Sequence, residues 1–561
     1  MRGRLQQVGR QLVARGGLVL GTFATLVYLL TIDRSASWWD CGEFIATGWT
    51  LGVGHPPGAP VYQLLSHLFM LLSFGNPLWV APLSNAFSAL CGGVTVGVLY
   101  LTLREFGCRP FGAAIGALCY LFCDTAWFSA VESEVYAPAM LCCSLDVWLA
   151  LRFRRSGNPR LLLLLALILG LGVGVHLMTL LVLPALALTV FPSISRTSRL
   201  SRLSRVVLFS LLFFLLGLTP YAIIPLRAAA DPPVNELGDS FGSYLRREQY
   251  DKAPLYPRMW RERDSANWAE WTLGTRGVVG NVVYCVGYQM GYMYCRYLMY
   301  NFIGRENFRW HCIVPFVLPF LLGLWGLWRH RKRSRLDFWI VMLLFLFGGI
   351  ILNLYLNHPC YEPRSRDYVY VLSFYAFALW IGIGADALPR RWLRLLALLA
   401  PLTLAVGNWS DHDRSRCHSV HDIAAAHLDV CDPDAILITL GDNDTFPLWY
   451  LQQVEGRRTD VDVYNVGLTG WPEVFRLVNT AADRPVYFTH YFYQRFAYLY
   501  PGRLRCCGFC WQLMPVGGAD LTPPPALPVE WHITRGEYVD PVSRRFLDIW
   551  QQNTGHPVPR R

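Results

Sequence analysis

Long apolar runs, punctuated by short loops whose arginines fall on alternate sides, constrain this chain more than any other feature. A helix that crosses a bilayer needs about 20 mostly apolar residues. Candidates run near 17–32, 82–103, 111–129, 137–153, 160–175, 177–192, 206–227, 311–329, 336–356, 369–388 and 392–407. Only 16% of the 561 residues are charged and 53% are hydrophobic, where a soluble globular chain carries about 25% charged residues. The pattern predicts a polytopic α-helical membrane protein with about 11 transmembrane helices. It excludes a cytosolic enzyme, a disordered scaffold and a disulfide-stapled secreted domain. No A-x-A-like site follows the first run and further spans do, so it reads as a span rather than a cleaved signal.

The net charge of +11 resembles a nucleic-acid signature until its distribution is read. Apart from Lys252 and Lys332, the 50 basic residues are arginines, many of them at the ends of apolar runs. By the positive-inside rule, Arg2, Arg4, Arg10 and Arg15 place the N-terminus in the cytoplasm. The clusters Arg104/Arg109, Arg152–Arg160, Arg196–Arg205, Arg329–Arg335 and Arg390–Arg394 then all fall on that side of an eleven-span chain. The expectation is a multi-pass cytoplasmic (inner) membrane protein that binds no nucleic acid. A membrane domain over 1–407 would send the loops 33–81 and 228–310 outside, followed by a small α/β extracytoplasmic domain over 408–561.

Within the first loop, Pro60 to Phe74 is apolar enough to be re-entrant or to lie along the interface. The second loop is rich in Trp, Tyr and Arg, as for a segment at headgroup level. The tail turns polar and acidic from Asp411. Its runs Ala435–Leu440 and Val461–Val466 read as buried strands around a helix-like Phe446–Val454, a βαβ pattern. Cys506, Cys507 and Cys510 give one C-x-x-C spacing, but nothing completes a zinc site. No metal ligand set is expected, and a disulfide in the tail stays open.

The strongest local signal is Trp38-Trp39-Asp40-Cys41-Gly42-Glu43, followed by Gly54-His55-Pro56-Pro57-Gly58. Asp40 and Glu43 lie just past the first span, with His55 on a stiff turn nearby. Three-residue spacing puts both carboxylates on one helical face, where either could serve as a general base. The competing reading is a D-x-x-E capping pair. Glu132 and Glu134, with Tyr136, fall in an outer loop that reads equally as a solvated turn. His176 sits in a tight outer turn, where a helix-end role is the bland alternative. Arg364 and Arg366, within Tyr361–Tyr368, depart from the positive-inside trend. They suit a lipid phosphate or, alternatively, headgroup anchoring or pairing with Glu362 and Asp367. Gly441-Asp442-Asn443-Asp444 follows a strand and precedes a helix, so it suits a cation, a sugar hydroxyl or an Asx-turn.

The run WDCGEFIATGWTLGVGHPPGAPVYQLLSHLF, with ESEVYA at 132–137, YEPRSRDYVYV at 361–371 and GDNDTFPLWYLQ at 441–452, resembles bacterial members of a membrane family grouped with the protein O-mannosyltransferases of the GT-C superfamily. The family pattern is D-x-G-E followed by H-P-P-G. Cys41 stands where small residues such as Ser are usual. The resemblance implies a GT-C-type glycosyltransferase that uses a polyprenyl-phosphate sugar as donor; no cofactor is expected beyond that donor, and metal dependence stays open. Its partners would be that donor, an exported acceptor protein and membrane lipid. Asp40 would be the catalytic base, with Glu43 beside it, and His55, Glu132, Glu134, His176, Arg364 and Arg366 would bind substrate. Rival readings are a GT-C transferase acting on lipid or glycan, and a transporter or flippase. The acids cluster in external loops rather than mid-span, and no inverted repeat is visible.

Overall fold

The computed structural model describes the chain apart from Met1 and residues 195–199, 251–252, 261–264, 306–312, 361–364, 482–483, 516–520, 524–528, 530, 534–538, 557 and 559–561. All eleven apolar runs lie on helices. Seven described helices are each long and apolar enough to cross a membrane: Val13–Thr31, Pro77–Glu105, Tyr136–Ser156, Ser204–Ala228, Arg335–Leu356, Asp367–Asp386 and Arg391–His412. The run at 111–129 is a pair, Pro110–Leu121 and Asp124–Ala130, bent by 65°. Counted as one span, it makes eight. The runs at 160–175 and 177–192 are the shorter helices Arg160–Val173 and Leu177–Pro192. Hydropathy registers an apolar run without registering where its helix breaks. Here Asp124 marks one break, and a glycine-rich end at Gly170, Gly172 and Gly174 marks the other.

Ion pairs gather Arg109, Arg152, Arg154 and Arg155 at one end of the bundle. Arg152 and Arg155 pair with Glu105, Arg154 with Asp337, and Arg109 with Asp386. The bundle core is aromatic, with Tyr28, Trp127, Tyr375 and Trp380 fully buried. Tyr28 donates its hydroxyl hydrogen to the Leu121 carbonyl at 2.9 Å, satisfying a polar tip that burial would otherwise penalise. Within the first loop, Pro60–Met70 is a helix. Leu65, Leu68, Leu71, Leu72 and Phe74 face outward from it and from the turn that follows.

The tail holds a five-stranded mixed sheet. Strands β1 (Ile436–Thr439), β2 (Asp462–Asn465), β3 (Val486–Thr489), β4 (Leu504–Cys507) and β5 (Cys510–Leu513) lie in the order β2-β1-β3-β5-β4. β1 pairs in parallel with β2 and β3, and β5 runs antiparallel to β3 and β4. The expected βαβ unit is present, its helix being Phe446–Gln453. The C-x-x-C spacing is the hairpin between β4 and β5, where Cys507 faces Cys510 across the ladder. The three cysteines are free thiols.

Composition changes at the start of the tail, but packing does not. Trp38, Cys41, Ile45 and Met70 of the first loop share one apolar core with Leu437, Leu448, Leu451, Phe546 and Trp550 of the tail. Trp38 stacks on Phe546 with centroids 5.1 Å apart. Its indole N–H reaches Asp540 at 3.0 Å and Ser543 at 2.8 Å. Gly42 is where the helix Cys41–Thr50 meets the helix Phe446–Gln453: a Cβ there would lie 2.5 Å from the Phe446 carbonyl oxygen. Gly42→Ala therefore forces two backbones apart, at a cost of about 1–3 kcal/mol. The expected result is a lower unfolding temperature in detergent and earlier proteolytic release of the tail. Unchanged values for both would show that the contact is not made.

Candidate active site

The helix Cys41–Thr50 begins one residue after Asp40. Asp40 has φ −73° and ψ −11°, and its side chain makes no capping hydrogen bond, whereas a working cap sits in the extended region. Glu43 does not reach back to Asp40 either. It turns to His55, accepting the backbone N–H at 2.6 Å and pairing with Nδ1 at 2.7 Å. The capping-pair reading is therefore replaced by a carboxylate–imidazole pair, and Asp40 is left beside it. One ligand-type atom each from Asp40, Glu43 and His55 lie within 4.8 Å of one another. Glu43 is fully buried, and a Cβ on Gly54 would collide with its carboxylate oxygen. Burial opposes the charge on His55, but the Glu43 carboxylate more than offsets it, so the imidazole titrates well above its ordinary value.

The loop is set by the residue before Asp40. Trp39 has φ +63°, a left-handed conformation that costs a bulky residue on the order of 1–3 kcal/mol unless its surroundings impose it. The tail supplies that surrounding: Asn443 Oδ1 accepts the Trp39 amide at 2.8 Å. The GDND turn thus divides its labour. Asp444 is buried and accepts from the Leu440 and Gly441 amides and from Thr489, so it holds the turn and the sheet. Asn443 holds Trp39. Asp442 lies within electrostatic reach of a further acid, Glu236.

Glu236 was not singled out by the sequence. It arrives from the 228–310 loop because Val53 bridges in parallel to Asn235 and the Glu236 amide donates to the Val53 carbonyl at 2.9 Å. It is 7% exposed, and neither carboxylate oxygen has a hydrogen-bond partner. Burial first, then the Glu43 carboxylate, push its pKa well above the ordinary carboxylate value. Asp40 and His55 are among its other electrostatic neighbours.

The remaining expected residues separate. His176 accepts the Met178 amide on Nδ1 at 3.2 Å, the bland helix-end role. Burial lowers it to about 4, with Arg247 and His55 adding to the shift and Asp40 opposing it, so it also sits within reach of the cluster. Tyr136 packs between His176 and Tyr368, tilted against both rings, with centroids 5.3 and 4.8 Å apart. Glu132 is buried and pairs with Arg414 of the tail at 3.1 Å. It lines a cavity of about 310 Å³ with Asp33, Trp39, Arg305 and Tyr368. Glu134 is buried and accepts the amide of its neighbour Val135 at 3.3 Å. Arg364 lies outside the described residues. Arg366 lines a second cavity, of about 360 Å³, with Arg296, Tyr288, Tyr292 and Tyr297, and Ser365 borders both cavities. Asp367 pairs with Arg305 at 3.0 Å, a partner the local sequence did not suggest.

Two family models match this chain. That of the protein O-mannosyl-transferase TMEM260 N-terminal domain covers residues 40–199, and that of TMEM260-associated domain 2 covers residues 420–472. The two matches fall on separate segments of the chain, each similar to a domain of TMEM260 proteins. The mouse protein O-mannosyl-transferase TMEM260 is 25% identical over 483 residues, 80% of this chain and 62% of that protein. The Dictyostelium discoideum protein of the same name is 23% identical over 519 residues, 83% of this chain and 58% of its own length. The chain thus spans less than two thirds of these relatives. Among solved structures, the S. cerevisiae Pmt1-Pmt2 protein O-mannosyltransferase complex bound to the sugar donor aligns with 39% of this chain and 33% of its own (TM-score 0.32, 20% identity). ArnT from Cupriavidus metallidurans aligns with 89% and 98% (0.41, 14%). The Archaeoglobus fulgidus oligosaccharyltransferase aligns with 80% and 64% (0.44, 12%). The first TMEM260 segment begins at Asp40, and the second contains the turn that holds Trp39.

The Glu132–Arg414 pair makes a structural claim that can be separated from catalysis. Arg414→Met removes the buried ion-pair partner of Glu132 and is expected to cost about 3–5 kcal/mol. Adding Glu132→Gln removes the carboxylate charge, so the double variant should unfold at a higher temperature than the single one. Equal unfolding temperatures for the two variants would show that the pair carries no such role.

Proposed function

We propose that this chain is a membrane glycosyltransferase that moves a sugar, mannose, from a polyprenyl-phosphate carrier to Ser or Thr of exported proteins, with Asp40 as general base. The observation that carries the reading is the state of Asp40. It is half-buried at the end of the first span, free of the capping role that would explain it, beside Glu43 and His55. It also opens the segment matched by the TMEM260 N-terminal domain. The TMEM260 relatives are named as protein O-mannosyl-transferases, which supports a sugar and acceptor of that class.

In this reading the Asp40 carboxylate takes the proton of the acceptor hydroxyl as its oxygen attacks the anomeric carbon. The bond from that carbon to the phosphate oxygen breaks, and the carrier phosphate leaves with the electron pair. A positioned base contributes about 10²–10⁴-fold in rate. Arg366, with Arg296 in the same cavity, would meet the phosphate, where Arg offers a planar fork. The N-terminus would be cytoplasmic and the tail extracytoplasmic, in keeping with the arginine clusters at the opposite end. The test is mass spectrometry of exported proteins and glycolipids from cells carrying the wild-type or the Asp40→Asn chain. The expected result is loss of a hexose from Ser/Thr peptides, with transfer by the purified variant reduced by about 10² or more and donor binding retained. Loss confined to lipids would favour a lipid acceptor, and retained transfer would remove Asp40 as the base.

A further inference from the structure

We propose that a cavity at the end of the bundle remote from Asp40 binds the headgroup of one anionic phospholipid. The cavity, of about 650 Å³, is lined by Arg109, Arg329, Lys332, Arg333 and Arg394, with Asp386 as its one acid. The membrane-spanning helix Asp367–Asp386 measures its distance from the candidate active site. Asp367 borders the same cavity as Trp39, and the 20 residues to Asp386 put about 30 Å between the two ends.

Arginines at the ends of membrane spans are ordinary, and the neighbouring cluster shows the ordinary arrangement. There Arg152 and Arg155 share Glu105, and Arg154 has Asp337. In the cavity the balance differs, because five cations from three separate stretches of chain converge on one carboxylate. Arg109 precedes the helix Pro110–Leu121, Arg329, Lys332 and Arg333 end the helix Ile313–Arg333, and Arg394 lies in Arg391–Ala397. Asp386 is already engaged. It accepts the Arg109 backbone N–H at 3.0 Å and the Nε–H at 2.9 Å, with Arg333 at 4.0 Å. Arg329 and Lys332 make no ion pair among the described residues and rest on the rings of Trp325 and Trp328. Like charges gathered in one cavity repel, and a bound anion relieves that repulsion.

Phosphate suits the donors. Arg333 is anchored to the Gly107 carbonyl at 3.0 Å and Arg394 to the Leu388 carbonyl at 3.1 Å. A guanidinium carries five N–H donors in a planar fork, so each can still meet phosphate oxygens. The rim marks the ligand as a lipid. Ile383, Leu388 and Pro389 line the cavity, and Trp325, Trp328, Trp392 and Leu395 stand exposed on the helices around it. Tryptophans gather at headgroup level, and basic pockets between spans suit anionic headgroups. A soluble phosphate would use the charge and leave the apolar rim unused. The inference does not depend on the reaction proposed for Asp40.

The full chain, purified in detergent and stripped of lipid, is mixed with equal amounts of phosphatidylglycerol and phosphatidylcholine, and retained lipid is counted by native mass spectrometry. The wild type should keep one phosphatidylglycerol in preference to phosphatidylcholine. The double variant Arg329→Gln/Arg394→Gln spares both arginines beside Asp386 and should weaken that binding by about tenfold or more. Lys332→Gln alone should weaken it by about fivefold, which keeps the test open if the double variant does not fold. Arg155→Gln, from the balanced cluster at the same end, should leave it unchanged. Phosphatidylglycerol should also raise the unfolding temperature of the wild type more than that of Lys332→Gln, and the lipid-free unfolding temperatures show whether each variant folds. Equal retention of the two lipids by the wild type would overturn the site, as would an equal loss in Arg155→Gln. Displacement of the lipid by glycerol 3-phosphate at the same concentration would overturn the lipid assignment in favour of a soluble phosphate.

Discussion

The structure depends on the docking of the tail against the loop that follows the first span. Phe446 meets Gly42 backbone to side-chain position, Asn443 takes the Trp39 amide, and Asp540 and Ser543 take the Trp38 indole. These contacts hold Trp39 in a left-handed conformation that the loop would not adopt alone. Asp40 follows directly, so its direction is set by a turn some four hundred residues later in the chain. The proposed reaction requires Asp40 to be held in position, and the C-terminal sheet domain supplies the contacts that would hold it.

This explains the composition of the motif better than catalysis alone. In Asp40-Cys41-Gly42-Glu43 only the carboxylates enter the proposed reaction. Gly42 is small because the tail helix passes over it, and Cys41 belongs to the core shared with the tail, its sulfur accepting the Ser37 amide at 3.3 Å. Farther along, Gly54 is small because Glu43 fills the place of its side chain. Glu43, buried and paired with His55, connects the helix Cys41–Thr50 to the His-Pro-Pro-Gly turn. The two halves of the signature are thus one electrostatic unit.

What the sequence made legible was what short-range pattern encodes. The apolar runs mark helices, and the arginines at 109 and 152–155 assemble at one end because their loops share it. The strands around 436–439 and 462–465 follow from continuous apolar runs beside turn residues. β3, β4 and β5 are no shorter than β1 and β2, at four residues each, but no turn-and-helix signal like the one between β1 and β2 marks them, and β4–β5 presented itself instead as a cysteine spacing. In the site, Asp40, Glu43 and His55 were legible because one loop carries them. Glu236 was not, because a single parallel bridge between Val53 and Asn235 brings it in and no motif surrounds it. Glu132 sits in a recognisable run, yet its partner Arg414 comes from the far side of the bundle's last helix. Asp367 likewise finds Arg305 rather than a neighbour in sequence.

Because the loop conformation rests on the tail, amide hydrogen exchange over residues 36–47 tests the central claim most directly. In the intact protein, the Trp39 amide and the first turn of the Cys41–Thr50 helix should be protected far beyond the rate of an open loop. Asn443→Ala removes one acceptor and touches neither carboxylate. With it, protection should fall over this segment while the spans keep theirs. Equal protection in wild type and Asn443→Ala, or rapid exchange in both, would show that the tail does not set the geometry of Asp40.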